Sequence, residues 1–121
     1  MNRKTVRRAI LVLGLFTAIV HLIILPFIVW SPDWGASLRV AWLLNGIGYL
    51  VLLWATLSEP EFLEDSQDLV HYAFIGFAVL TIIAFFVFGQ PTTDKLGWVT
   101  KLDEILLIAA LVMDLRLQSK A

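Results

Sequence analysis

The chain has 121 residues, of which 60% are hydrophobic and 16% are charged. A soluble domain usually has about 45–50% apolar and about 25% charged residues, and a short chain buries only a limited fraction of its surface. This composition excludes a soluble globular domain, and also a disordered chain. The net charge of −1 gives no electrostatic basis for binding nucleic acid. With no cysteine for disulfides or thiolate metal sites, the chain is predicted to be a small integral membrane protein.

Three long stretches of the chain lack Asp, Glu, Lys and Arg. Each can hold a helix of about 20 residues, which is the length that crosses about 30 Å of hydrocarbon. A backbone in hydrocarbon must satisfy its own hydrogen bonds, so these spans are expected to be helices. The predicted spans are residues 9–30, 39–57 and 69–89.

A fourth segment, residues 96–117, is also long enough to cross a membrane but carries charged residues. Lys101 and Glu104 lie in its first third, and Asp114 lies near its end. Such a segment inserts weakly by itself. Packed against three other helices, with its charges at the ends or facing inward, it can form a fourth span. Three spans are the alternative.

The distribution of basic residues favours four spans. Six basic residues then lie on the cytoplasmic side and three outside, as the positive-inside rule requires. Short connections at 31–38 and 90–95, the second containing Pro91, place consecutive helices side by side. The chain, residues 1–121, is therefore predicted to be a single all-α domain in the cell (inner or plasma) membrane. Its predicted fold is an up-down-up-down four-helix transmembrane bundle with both termini cytoplasmic.

Small residues recur at helical spacing along the first three spans. Helices in lipid associate through such residues, because they let two backbones approach closely. These stripes are predicted to face the centre of the bundle, where they either pack or line a cofactor cleft. The small residues concerned are Gly14, Ala18, Ala41, Gly48, Ala73 and Gly76.

Four polar residues, one in each span, fall within about 5 Å of the membrane midplane when depth is counted at 1.5 Å per residue. They are His21, Asn45, Thr81 and Glu104. Lys101 lies one turn from Glu104 on the same face. Two interpretations remain open. One is structural hydrogen bonding between helices, worth about 0.6 kcal/mol per contact, and the other is a polar cluster that binds an ion, a proton or a small polar headgroup.

A second histidine, His71, lies near the inner end of the third span, about 14 Å from His21 in depth. The two therefore cannot ligate one haem iron together, although either one could ligate a pigment. The acidic residues of the inner loop, which include Glu59, can pair with the basic residues that precede the first span. The sequence shows no nucleophile–base pattern, phosphate-binding glycine loop or metal-binding motif.

The order of several short motifs resembles a group of small four-span membrane proteins of unknown function, known mainly from haloarchaea. The motifs are AIVHL at 18–22, WLLNGIGYL at 42–50, HYAFIGF at 71–77 and GWVTKLDEILLI at 97–108. The resemblance covers most of the chain. It implies a four-helix bundle and no particular activity. In that group a polar amide tends to stand where this chain has Glu104, so the acid is a departure.

These features lead to an expectation of a non-enzymatic accessory or scaffolding subunit that packs in a larger membrane complex. The expected partners are the lipid bilayer and other membrane subunits or further copies of the chain. One alternative is an oligomeric protein that binds or conducts an ion or small molecule through the polar cluster. Another is a subunit of an electron-transfer complex that binds a pigment or haem through one histidine. The sequence indicates no particular cofactor.

Overall fold

The computed structural model describes residues 2–88 and 95–119, and in these the chain is all helical. Two short 3₁₀ helices, Pro32–Trp34 and Glu61–Ser66, lie in the connections. The predicted connection at 90–95 with Pro91 lies outside the described residues except for Lys95. The long helices are α1 (Arg3–Ile19, continuing as a π-helix over Val20–Val29), α2 (Ala36–Ser58), α3 (Gln67–Phe88) and α4 (Lys95–Ser119).

The four helices form an antiparallel bundle in which each helix packs mainly against two others. Helix α1 packs against α2 and α4, and α3 packs against the same two helices. Their buried apolar side chains make one core, in which the ring of Tyr49 packs against the rings of Phe74 and Phe77. The predicted all-α fold is confirmed.

Three helical segments are long and apolar enough to cross a membrane: Arg3–Val29, Ala36–Ser58 and Glu61–Phe88. Helix α4 is equally long but less hydrophobic. The lower hydrophobicity of α4 comes from its charged residues. Four of these are buried inside the bundle: Lys101, Asp103, Glu104 and Asp114.

The buried stripe of α4 repeats at alternating spacings of three and four residues, as in helices that pack along a seam. The stripe consists of Gly97, Thr100, Glu104, Leu107, Leu111 and Asp114. The exposed side of the same helix carries large apolar residues such as Leu102, Ile105 and Met113. Helix α4 therefore turns its polar side inward and an apolar side outward.

Helix α1 changes its hydrogen-bond pattern around Pro26. Proline has no backbone N–H and cannot donate a helical hydrogen bond, and the ten residues Val20–Val29 around it are π-helical. The N–H of Trp30 donates to the carbonyl of Leu25 five residues back, at 2.8 Å. The side chain of Arg39 donates to the carbonyl of Pro26 at 2.9 Å. This tethers the end of the first helix to the start of α2.

The prediction that small residues face the bundle centre is only partly correct. Gly14 and Ala18 are buried, and Gly48 lies close to the ring of Phe77. Ala41, Ala73 and Gly76 are exposed, so for these three the prediction was wrong. Apart from the neighbouring backbone of α3 itself, no atom of the described residues lies within 4 Å of the position that a Cβ would occupy at Gly76.

The orientation of α3 has a physical reason. Its buried side carries Gln67, His71 and Thr81 together with Phe74 and Ala78. An imidazole or amide left in an apolar environment without a partner costs more free energy than an exposed small residue does. The polar side chains that find partners therefore determine which side of the helix faces inward.

Candidate functional site

The polar residues of the interior form two clusters at different levels of the bundle. The central cluster consists of Thr17, His21, Tyr49, Lys101 and Glu104. The end cluster consists of Arg3, Arg7, Glu59, His71 and Asp114, and lies where α1 and α3 begin and α2 and α4 end. Both clusters connect three or more helices.

Glu104 is the hub of the central cluster and is completely buried. Its Oε2 accepts hydrogen bonds from the hydroxyl of Thr17 at 2.9 Å and from the hydroxyl of Tyr49 at 2.7 Å. Its Oε1 forms an ion pair with Lys101, one turn earlier on α4. A buried carboxylate requires such charged and hydrogen-bonded partners, and here α1, α2 and α4 each provide one.

Lys101 is itself buried, with two partners. Its ammonium group pairs with Glu104 and lies 5.2 Å from the ring centre of Phe85 on α3. An ammonium group over an aromatic face is attracted by the quadrupole of the ring. The pair with Glu104 is formally neutral, so it adds no net charge to the interior.

His21 reaches Glu104 only through Thr17. Its Nδ1 lies 2.8 Å from the backbone carbonyl of Thr17. That oxygen can only accept, so Nδ1 carries the hydrogen, and Nε2 keeps its lone pair in the neutral ring. Among the described residues, none forms a hydrogen bond with Nε2. The ring packs against Tyr49 with 5.9 Å between the ring centres.

Asn45 and Thr81 form a separate contact between α2 and α3. The amide of Asn45 donates to the hydroxyl of Thr81 at 2.8 Å, and that hydroxyl donates to the carbonyl of Phe77 at 3.0 Å. The structure thus brings Lys101 and Glu104 together directly, adds His21 through Thr17, and leaves Asn45 and Thr81 as their own pair.

Asp114 is the hub of the end cluster and is also completely buried. Arg3 Nε donates to its Oδ1 and Arg7 donates to its Oδ2, both at 3.1 Å. His71 Nε2 lies 2.7 Å from the same Oδ2. One carboxylate therefore joins α1, α3 and α4.

The two nitrogens of His71 both face oxygen atoms. Nδ1 lies 2.6 Å from the carbonyl of Gln67, which can only accept, so Nδ1 carries a hydrogen. The contact between Nε2 and Asp114 then needs one more proton, located either on the ring or on the carboxyl group. The His71–Asp114 pair accordingly shares a proton inside the bundle.

Arg7 also closes the end of α2. It donates to the carbonyls of Thr56 at 2.8 Å and Leu57 at 2.9 Å, which lie in the last turn and lack helical partners. Glu59 follows in the left-handed conformation, with φ of 47°, and forms ion pairs with Arg3 and Arg7. The basic start of α1 is thus paired with the acidic loop, as well as with Asp114.

Comparison with known proteins finds no matching family, no matching curated protein and no matching solved structure. The site must therefore be interpreted from its own geometry. In the described part of the chain, no three His, Asp or Glu side chains are placed to hold a metal ion. Two of the buried carboxylates, those of Glu104 and Asp114, are instead bonded to groups from the same bundle, whereas Oδ2 of the buried Asp103 has no hydrogen-bond partner among the described residues.

The predicted pairing of Glu59 with the basic residues before the first span is found, with Arg3 and Arg7. Thr17, Tyr49 and the contact between His71 and Asp114 were not predicted from the sequence. A sequence signal for them does exist. On α4, Glu104 and Asp114 belong to the same stripe of alternating three- and four-residue spacings, and Arg3 and Arg7 lie one turn apart on α1. The identity of the partners depends on how the helices are rotated, which the spacing of one helix does not determine.

Proposed function

We propose that the protein is a four-span integral membrane protein of the cell membrane with both termini cytoplasmic. Its three apolar helices support membrane insertion. For the fourth span, the support is the arrangement of α4, whose charged side chains are buried in the bundle while Leu102, Ile105 and Met113 face outward. Its 25 residues extend about 38 Å, enough to cross the hydrocarbon.

Within the membrane, we propose a non-enzymatic accessory or scaffolding role in a larger complex. The observation that carries this proposal is the bonding of Glu104. Its Oε2 accepts hydrogen bonds from Thr17 and Tyr49, and its Oε1 forms an ion pair with Lys101. A completely buried carboxylate whose partners all belong to its own bundle joins helices and does not reach the surface. The bonding of Glu104 therefore favours a structural role for the central cluster. The protein would then act through contacts of its outer surface with other membrane subunits.

A second candidate function rests on His21. A histidine that ligates a metal usually donates from one ring nitrogen to a carbonyl or carboxylate, which leaves the other nitrogen for the metal. His21 has this arrangement, with Nδ1 bonded to the Thr17 carbonyl. A pigment or haem of an electron-transfer complex, bound through Nε2, is the alternative that this geometry supports. The hydrogen bonds of Glu104 do not favour conduction through the central cluster.

Gentle extraction from native membranes separates these functions. The tagged protein is purified in mild detergent from its native host, and its co-purifying proteins are identified by mass spectrometry. An accessory subunit brings unlike membrane proteins in constant ratio, and a wash at high salt leaves them bound. Recovery of the chain alone, or only with further copies of itself, would contradict the accessory role.

An absorption spectrum of the same preparation tests the second candidate. A bound pigment or haem gives a visible band that is lost in His21→Gln. His71→Gln is the matched control, because it changes the other histidine while leaving His21 in place. A preparation without a visible band, or a band that both variants retain, rejects ligation by His21.

A further inference from the structure

The first two turns of α1 carry four basic residues that point in two directions. Arg3 and Arg7 turn toward the bundle and bind Asp114 and Glu59. Lys4 and Arg8, also one turn apart, are both exposed. Among the described residues, neither forms a hydrogen bond or an ion pair with another side chain. Two positive charges therefore remain available on the outer side of α1.

These residues line a cleft where α1 begins and α2 ends. The cleft is a shallow, open depression of about 400 Å³ whose accessible lining is mostly apolar. It is lined by Arg3, Lys4, Arg7, Arg8, Leu11 and Leu57. Every polar residue of this lining is basic. Arg3 and Arg7 form the side of the cleft nearest the bundle and are held there by Asp114 and Glu59. Among the described residues, no side chain pairs with the charges of Lys4 and Arg8.

The apolar part of the cleft lies deeper along the helix. Leu11 follows Arg8 by three residues, so it lies about 4.5 Å farther along the axis. Beyond it, the outer side of α1 is apolar, with Val12, Leu15 and Ile19 all exposed. The cleft thus lies at the boundary between a charged helix end and an apolar surface that fits a hydrocarbon environment.

An anionic phospholipid has the same division, with a phosphate headgroup attached to hydrocarbon chains. A free phosphate ion would use only the basic mouth of the cleft. We propose that the cleft binds one anionic phospholipid, with Lys4 and Arg8 contacting the phosphate group and Leu11 and Leu57 contacting the upper acyl chain. Basic pockets at the cytoplasmic boundary of membrane helices recognise lipid headgroups in this way. The inference rests on the proposed membrane insertion.

Native mass spectrometry of the detergent-purified protein tests the site. The probes are phosphatidylglycerol, phosphatidylcholine of the same chain length, and glycerol phosphate, which carries the phosphate group without acyl chains. We expect phosphatidylglycerol to bind most tightly. Each basic residue near a membrane surface contributes about 1 kcal/mol to binding anionic lipid. The double variant Lys4→Gln/Arg8→Gln should therefore weaken phosphatidylglycerol binding about 30-fold.

The matched control is Lys95→Gln/Arg116→Gln, which removes the same charge from two exposed residues away from the cleft. It should change the affinity less than about twofold if the site is local. An equal loss in both double variants would show general electrostatic attraction and reject the site. If phosphatidylcholine binds as tightly as phosphatidylglycerol, the cleft does not recognise the headgroup charge. If glycerol phosphate binds as tightly as phosphatidylglycerol, the cleft binds a free anion and not a lipid.

The experiment distinguishes failure of the proposed membrane insertion from failure of the lipid site. A chain that purifies from the soluble fraction without detergent contradicts membrane insertion itself. A chain that needs detergent and shows any of the three rejecting binding patterns contradicts the lipid site alone. Leu11→Gln adds a further measurement, since it should weaken phosphatidylglycerol binding without changing the charge at the mouth.

Discussion

His71 Nε2 lies 2.7 Å from Oδ2 of Asp114, and both side chains are completely buried between the first turns of α3 and the last turns of α4. Arg3 and Arg7 bring α1 to the same carboxylate. Three helices therefore meet at one buried acid. The removal of one partner of a buried charge pair is more destabilising than the loss of an exposed pair, because it leaves the other charges uncompensated.

Asp114→Asn is expected to destabilise the detergent-solubilised protein by about 3 kcal/mol, at the lower end for a broken buried pair because Arg3 and Arg7 keep some access to solvent. Unfolding by a denaturing detergent measures this. Asp68→Asn is the control, since Asp68 is exposed and, among the described residues, bonds only to the backbone N–H of Leu69. It should change the stability by less than about 0.5 kcal/mol. Equal effects of the two variants would contradict the role of Asp114.

A double-mutant cycle should show coupling between Tyr49 and Glu104. Tyr49→Phe removes the hydroxyl that donates to Glu104 at 2.7 Å, and Glu104→Gln removes the charge. Hydrogen bonds to charged groups are worth about 1.5–3 kcal/mol, whereas contacts inside membranes average about 0.6 kcal/mol. We expect a coupling free energy of about 1–2 kcal/mol. Additive losses of stability would mean that the charge of Glu104 does not strengthen this hydrogen bond, because the carbonyl of a glutamine can still accept from Tyr49.

The corresponding cycle of His21→Leu with Glu104→Gln should give a smaller coupling, below about 0.5 kcal/mol. Thr17 lies between the two side chains and bonds to both, so His21 does not contact the carboxylate directly. Unfolding measurements on the same four-variant scheme provide the value. A coupling as large as that of Tyr49 would place His21 in direct contact with Glu104.

Substitution of two helical glycines should have opposite outcomes. A side chain at position 48 meets the ring of Phe77, which itself packs against Tyr49, so Gly48→Leu should cost about 1–3 kcal/mol through overpacking. At Gly76 an added Cβ would meet no neighbouring group of the described residues within 4 Å, and leucine replaces a poor helix former on an exposed side of α3, so Gly76→Leu should keep or raise the stability of the isolated protein. Val51→Leu, on the exposed side of α2, is a neutral reference. Similar melting temperatures for the two glycine variants would contradict the packing described for α2 and α3.

Thiol labelling tests the four-span topology. The chain has no cysteine, so a single introduced one is the sole target. Asn2→Cys and Ser119→Cys should resist an impermeant thiol reagent in intact cells and react after the cells are opened. Ser37→Cys, in the first turn of α2, should react in intact cells. Labelling of Ser119→Cys but not Asn2→Cys in intact cells would mean that α4 does not cross the membrane.

The sequence was sufficient for three of the long helices, because long charge-free stretches with polar ends mark helices of spanning length. The fourth helix carries charges, so its prediction depended on the distribution of basic residues, and three spans stayed open as the alternative. The rotation of each helix was harder to predict. On α3 the small residues Ala73 and Gly76 suggested one inner side, but His71 and Thr81 find partners on another. Residue size predicted that the side of α3 with the small residues faces inward. The observed rotation instead buries the side that carries the polar residues.

The candidate site was predictable only where its residues stand out within one helix. Glu104 and Lys101 stand out as charges within a long apolar segment, and their pairing follows from their spacing of three residues. His71 lies near the predicted end of a helix, where a histidine is unexceptional. Its importance comes from Asp114, which is 43 residues away along the chain. Such a contact depends on which helix ends meet, and one sequence by itself does not contain that information.

The inward-facing charges of α4 have a consequence for biosynthesis. If α4 spans the bilayer as proposed, this helix would be unfavourable there by itself, since Glu104 and Asp114 find partners on α1, α2 and α3. The first three helices in turn leave Arg3, Arg7 and His71 without the carboxylate that they surround until α4 has been synthesised. Closure of the bundle around α4 therefore supplies the buried carboxylate that Arg3, Arg7 and His71 share, whereas a chain that ends before α4 would keep Glu59 as the partner of the two arginines and leave His71 without Asp114.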